Sequence, residues 1–235
     1  MNLPQLDLTQ LMVLAAALGW ASGIRLYLVV LLVGLAGYLG WVPLPGGLHL
    51  LAHPGVIAAS GFMVVAEFLA DKVPGVDSLW DAVHTVIRIP AGAALAAGLF
   101  TADHQAMAVI AALLGGGLAA TAHATKATTR AAINTSPEPF SNVGASLVED
   151  AMVPTGLWLS VAHPLVFVVS LVVVLGVSVW LIHACWHFVR RLLQRLSRIF
   201  SGRADPGASR APPNVAPVAL APGSQRRVDP EHGDV

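Results

Sequence analysis

PLVFVVSLVVVLGVSVWLI, residues 164–182, runs for nineteen residues without a charge. A bilayer core about 30 Å thick is crossed by about 20 apolar residues in a helix, so this stretch reads as a transmembrane helix. The whole chain agrees with it. Of 235 residues, 56% are hydrophobic and 11% charged, against roughly 45–50% and about 25% in a soluble domain. Thirteen basic and thirteen acidic residues cancel, which excludes a basic nucleic-acid binder and a charge-driven disordered protein. The single cysteine, Cys185, excludes an intramolecular disulfide framework and a Cys-based zinc cluster.

Working towards the C-terminus, Arg190, Arg191, Arg195, Arg198, Arg203, Arg210, Arg226 and Arg227 make eight of the thirteen basic residues. By the positive-inside rule this end lies in the cytoplasm, with Trp180, Trp186 and Phe188 as an interfacial aromatic belt. From Ser201 to Val235 the chain is rich in Pro, Gly and Arg without an aromatic residue, which predicts a disordered cytoplasmic tail over 199–235 after a membrane domain over 1–198. Working towards the N-terminus, Met1–Gln10 has no Lys or Arg, so the following apolar run is expected to be retained in the membrane. That run, Leu11–Val42, carries only Arg25. As one helix it would reach about 48 Å, so a break is expected at Gly19–Arg25. Pro54–Ala70 and Gln105–Thr125 read as further membrane segments. Ile89–Ala102 is short enough for a half-spanning or re-entrant element, and Val143–Ala162 is split by Glu149–Asp150 and Pro154. The expected fold is all-α: a polytopic transmembrane bundle of about five to six segments, some broken or re-entrant.

The remaining charges are grouped. Residues 8–189 hold five bases, Arg25, Lys72, Arg88, Lys126 and Arg130, and eight acids, of which only Asp103 and Glu138 lie apart from the apolar segments. Glu67 and Asp71 are four apart and share a helix face. Asp77, Asp81, His84 and Arg88 form a stripe about 60° wide at helical pitch. His123, Lys126, Arg130 and Asn134 repeat the spacing with cations, and Asn142, Ser146 and Glu149 add a third stripe beside Asp150. A lone charge in hydrocarbon costs at least about 2.5–3.5 kcal/mol, so acidic and cationic stripes are expected to meet. The predicted outcome is a self-neutralising polar centre of Arg25, Glu67, Asp71, Lys72, Arg88, Lys126, Arg130, Glu149 and Asp150. Local rules compete at some of these positions. Ser78-x-x-Asp81 reads as a capping box, Ser141 or Asn142 as the next helix start, and Phe140 as its hydrophobic staple. Ser136–Pro139 reads as a rigid turn. His183 and His187, four apart, lack a third ligand and read as interfacial histidines.

AEFLADKVPGVDSLWDAVHTVIRIPAGA (66–93), HATKATTRAAINTSPEPFSNVGASLVED (123–150) and ASGIRLYLVVLLVGLAG (21–37) resemble the signature regions and start of a bacterial integral membrane family called domain of unknown function 4126. The similarity runs from residue 10 to about 195. It implies multi-pass topology and marks the same polar blocks, and it brings no activity, cofactor or catalytic residue.

Three functions are compatible with these features. A small transporter or channel for an ion, proton or solute would use the intramembrane charges as its pathway, with Glu67 and Asp71 carrying cations or protons. A membrane-embedded enzyme acting on a lipid or isoprenoid phosphate would use the carboxylates to hold Mg²⁺ and Lys126 and Arg130 to clamp phosphate. A structural or assembly protein would use the charges only to lock its helices. Transport is favoured. The expected partner is the lipid bilayer of the cell membrane, and no nucleic acid. Gly19–Gly23 and Gly115–Gly117 offer close-packing surfaces, also for a homo-oligomer.

Overall fold

In the computed structural model, which describes residues 7–73, 75–134 and 139–201, six α-helices follow one another. They are α1 (Leu8–Tyr38), α2 (Pro54–Ala70), α3 (Val76–Ala97), α4 (Gln105–Ile133), α5 (Pro139–Ala162) and α6 (Pro164–Ser201), with short 3-10 segments at Gly46–Ala52 and Ala102–His104. No strand occurs among the described residues. The helical unit extends through Arg191; of the second unit, Leu192–Val235, only the end of α6 is described.

The first two helices begin where a side chain satisfies a backbone donor of the first turn. Asp7 caps α1 in a reciprocal box, accepting from Gln10 N–H at 2.7 Å while Gln10 Oε1 accepts from Asp7 N–H at 3.1 Å. His53 Nδ1 accepts from Gly55 N–H at the start of α2, where Pro54 supplies a pre-set first residue. Gly75, at φ +88°, turns the chain into α3 in a conformation that L side chains rarely adopt.

Among the described residues, three helical stretches are long and apolar enough to cross a bilayer: Leu8–Tyr38, Ala102–Ile133 and Pro164–His187, with α2 a shorter apolar helix of 17 residues. The molecule is an all-α transmembrane bundle. Leu165, Val169, Val172 and Trp180 of α6 stay exposed on its outside, as lipid-facing side chains do. At the centre, α1 packs against α2, α3, α4 and α5. Lipid tails are as apolar as leucine, so such packing relies on close backbone approach. A Cβ on Gly19 would overlap Gly115 Cα, and one on Gly23 would overlap the Ala119 carbonyl oxygen. The face of Gly19 and Gly23 is therefore used within the chain against α4, while Gly115 and Gly116 also approach α3 and Gly117 has open space around it.

The expected break in the first segment falls at Arg25, whose φ −142° and ψ 78° interrupt the helix. Other expectations are corrected. Ile89–Ala102 is not a separate element: α3 continues through Pro90 to Ala97. Likewise α5 passes Glu149, Asp150 and Pro154 unbroken. Membrane helices accommodate proline because neighbouring helices and polar side chains re-satisfy the freed backbone. Ser78 does not cap α3, whose N-cap is Gly75, and α5 starts at Pro139, leaving Ser141 and Asn142 inside it. The turn at 135–138 and the tail beyond Ser201 lie outside the described residues.

Candidate functional site

Lys126 of α4 is 4% exposed and sits among carboxylates from three other helices. Its Nζ lies 3.7 Å from Glu67 Oε1 and 3.6 Å from Asp71 Oδ2 at the end of α2. It lies 3.5 Å from Asp81 Oδ1 of α3 and 3.3 Å from Glu149 Oε2 of α5. The kink in α1 completes the shell, because the Ile24 carbonyl accepts from the same ammonium at 3.3 Å.

Every one of those four carboxylate oxygens is shared with an arginine. Arg88 pairs with Glu67 Oε1 and, at 2.9 Å, with Asp81 Oδ1. Arg25 approaches Asp71 Oδ2 at 2.8 Å, and Arg130 approaches the same atom at 3.6 Å. Arg130 holds Glu149 through two nitrogens, at 3.3 and 3.0 Å. Arg25 also reaches Asp150 at 2.9 Å and donates to Ser146 Oγ at 2.8 Å. The second oxygens of three of these carboxylates, Glu67 Oε2, Asp71 Oδ1 and Asp81 Oδ2, are buried without a hydrogen-bond partner. These atoms are where an added proton could sit.

Around this core the other polar residues are placed by hydrogen bonds. Arg88 donates to His123 Nδ1 at 3.1 Å, and an arginine has no acceptor, so Nδ1 carries no proton. The ring is then the Nε2–H tautomer, donating to Thr85 Oγ1 at 2.7 Å, which donates in turn to the Asp81 carbonyl at 2.9 Å. Asp77 faces no cation among the described residues. It accepts from Asn134 Nδ2 at 3.0 Å on both oxygens and from Gly75 N–H at 2.8 Å, and Asn142 donates to Asn134 Oδ1 at 2.8 Å. His84 donates from Nδ1 to the Trp80 carbonyl at 2.7 Å and stacks on the Trp80 ring.

Of the sequence-derived residues, Arg25, Glu67, Asp71, Asp81, Arg88, His123, Lys126, Arg130, Glu149 and Asp150 form one connected cluster. Asp77 and Asn134 form an annex linked to it through Asn142, whose carbonyl accepts from Arg130 at 3.1 Å. His84 stays with its aromatic neighbours, Trp80 and Tyr27. Lys72 is not drawn in. It follows the end of α2, and its ammonium lies 3.1 Å from the centre of the Phe68 ring one turn back. Ser146 and Asn142 carried a signal in their helical spacing with Glu149. Thr85 and the Ile24 carbonyl carried none, since a lone threonine and a backbone group have no pattern.

The cluster adjoins two cavities on different faces of α5. One, of about 270 Å³, lies between α1, α4, α5 and α6 and is lined by Lys126 and Glu149 together with Trp20, Ile24, Met152 and Val174. The other, of about 300 Å³, is lined by Asp150 and Pro154 with Leu28, Val64 and Phe68. At the far end of α6, His183 and His187 face one another with their Nε2 atoms 3.1 Å apart.

No curated protein and no solved structure gives a significant match to the chain. A family model described as domain of unknown function (DUF4126) matches residues 12–184, and the chain belongs to that family.

Proposed function

We propose that this protein moves protons or small monovalent cations across the cell membrane, with Lys126 as the tethered cation of the carboxylate shell. The observation that carries this reading is the four-carboxylate shell around one ammonium. Such a shell is built for positive charge. A lysine can leave it by rotating its flexible stem, whereas the arginines are held by paired, directional bonds. A proton arriving at Glu67, Asp71 or Asp81 finds a buried oxygen without a partner and weakens the hold on Lys126. Withdrawal of the ammonium then leaves room for a cation among the same oxygens. The alternative chemistry, Mg²⁺-dependent attack on a lipid phosphate, would need these carboxylates for the metal, and they are already engaged by guanidinium and ammonium groups.

A membrane domain over 1–198 with a tail over 199–235, and a cytoplasmic C-terminus, belong to the same proposal; the arginines from Arg190 onward support it.

The test is flux in reconstituted vesicles loaded with a pH-sensitive dye. Wild-type protein should dissipate an imposed proton or cation gradient, and Glu67→Gln should slow this at least about tenfold. Vesicles holding folded wild-type protein and remaining as tight as empty ones would overturn the proposal.

A further inference from the structure

The cavity between α1, α4, α5 and α6 has a charged end and an apolar body. From its geometry we infer that it takes an amphipathic organic cation, which enters from the side of the bilayer and places its head against Glu149. This deepens the transport reading and rests on it, because the head would take the position that Lys126 holds at Glu149.

The apolar walls are Trp20, Ile24, Met152 and Val174, enclosing about 270 Å³. Val148, also in the lining, is 58% exposed on the outer face of α5, so the cavity reaches the lipid-facing surface. Its inner end is Glu149, 12% exposed, beside Lys126.

The sign of the ligand follows from charge complementarity. Four cations, Arg25, Arg88, Lys126 and Arg130, face the carboxylates Glu67, Asp71, Asp81, Glu149 and Asp150, and Asp77 joins the annex without a cation. Carboxylates thus outnumber cations. Lys126 has no vacant side for an anion, since five oxygens surround it. An anionic head would meet excess negative charge, whereas an ammonium head replaces one cation at Glu149 with another. The apolar lining then receives the chain attached to that head. A ligand with a hydrocarbon body and a single positive charge satisfies both ends.

The test compares three probes with one chain length, decyltrimethylammonium, decyl sulfate and decanol, below their micellar concentrations, on full-length protein in nanodiscs. Saturable binding is read by thermal shift and by isothermal titration calorimetry. Decyltrimethylammonium should bind at least about tenfold more tightly than the other two. Ser178→Phe and Ala145→Phe, which narrow the cavity without removing an ion-pairing side chain, should each weaken it at least about tenfold. Glu149→Gln should weaken decyltrimethylammonium and leave decanol unchanged. Equal binding of all three probes, or binding unaffected by both cavity-filling changes in folded protein, would overturn the inference. The assay is at equilibrium and needs no flux. Selective ammonium binding by a protein that moves no protons would therefore sustain this site while overturning transport.

Discussion

Removing the hub charge, with and without a compensating change, separates an interlocked cluster from a collection of independent pairs. Lys126→Met leaves the apolar part of the side chain and deletes the ammonium from a shell of four carboxylates at 3.3–3.7 Å. At an effective dielectric of about 20, one such pair near 3.5 Å is worth about 4–5 kcal/mol before desolvation is subtracted. Breaking a buried pair by deleting one partner typically costs about 3–5 kcal/mol, because the other charge is left uncompensated. Lys126→Met should fall in that range. Asp81→Asn alone should cost less, about 1–3 kcal/mol, since the amide keeps an oxygen for Arg88 while the charge is lost. The double variant removes one charge of each sign. It should be about 1–3 kcal/mol more stable than the sum of the two losses, within the range found for directly coupled residues. The assay is reversible unfolding in mixed micelles for wild type, both single variants and the double variant. Strict additivity, within about 0.5 kcal/mol, would refute the claim that Lys126 and Asp81 act through one shared site.

Gly19→Leu and Gly23→Leu should abolish the folded protein or cost more than about 3 kcal/mol, because each would overlap α4 backbone. Gly176→Ala, with open space around it, should be neutral or stabilise by up to about 1 kcal/mol; melting curves of the three decide it. Nitrogen-15 NMR of histidine-labelled protein should show His123 as a neutral ring protonated on Nε2, and a doubly protonated ring would contradict the donor assignment at Arg88. Arg25→Lys should lose about 1–3 kcal/mol in unfolding titrations, since a single ammonium cannot serve Asp71, Asp150 and Ser146 together. Cys185, the chain's single cysteine, should react with a membrane-impermeant maleimide from the cytoplasmic side and not from outside; the opposite labelling would reverse the proposed orientation.

Much of the bundle is legible in the chain because lipid imposes one demand, continuous apolar helix. Pro54–Ala70 ends in the structure where its hydropathy ends, and the charge in the first segment marks the kink at Arg25. Convergence of the acidic and cationic stripes is legible for the related reason that a lone buried charge is costly. Rules drawn from water-exposed helices mislead here. Pro90 and Pro154 stay inside helices, and Ser78 and Asp81 look like a cap while Asp81 serves Arg88 and Lys126 instead. Lys72 follows Asp71 in sequence yet leaves the cluster, because Asp71 is the C-cap that closes α2 and the Lys72 side chain settles back on Phe68. Which arginine takes which oxygen depends on how α1, α4 and α5 dock, and a helical repeat does not encode that.

If the carboxylate shell exchanges Lys126 for an incoming cation, charge moves within the membrane, and charge displacement on a solid-supported membrane measures that movement. A rapid pH or cation jump over adsorbed proteoliposomes should produce a transient current with wild-type protein. In the folded Lys126→Met, Asp81→Asn double variant that transient should be lost. A current of wild-type size in the double variant, or none from folded wild-type protein, would rule out exchange at Lys126.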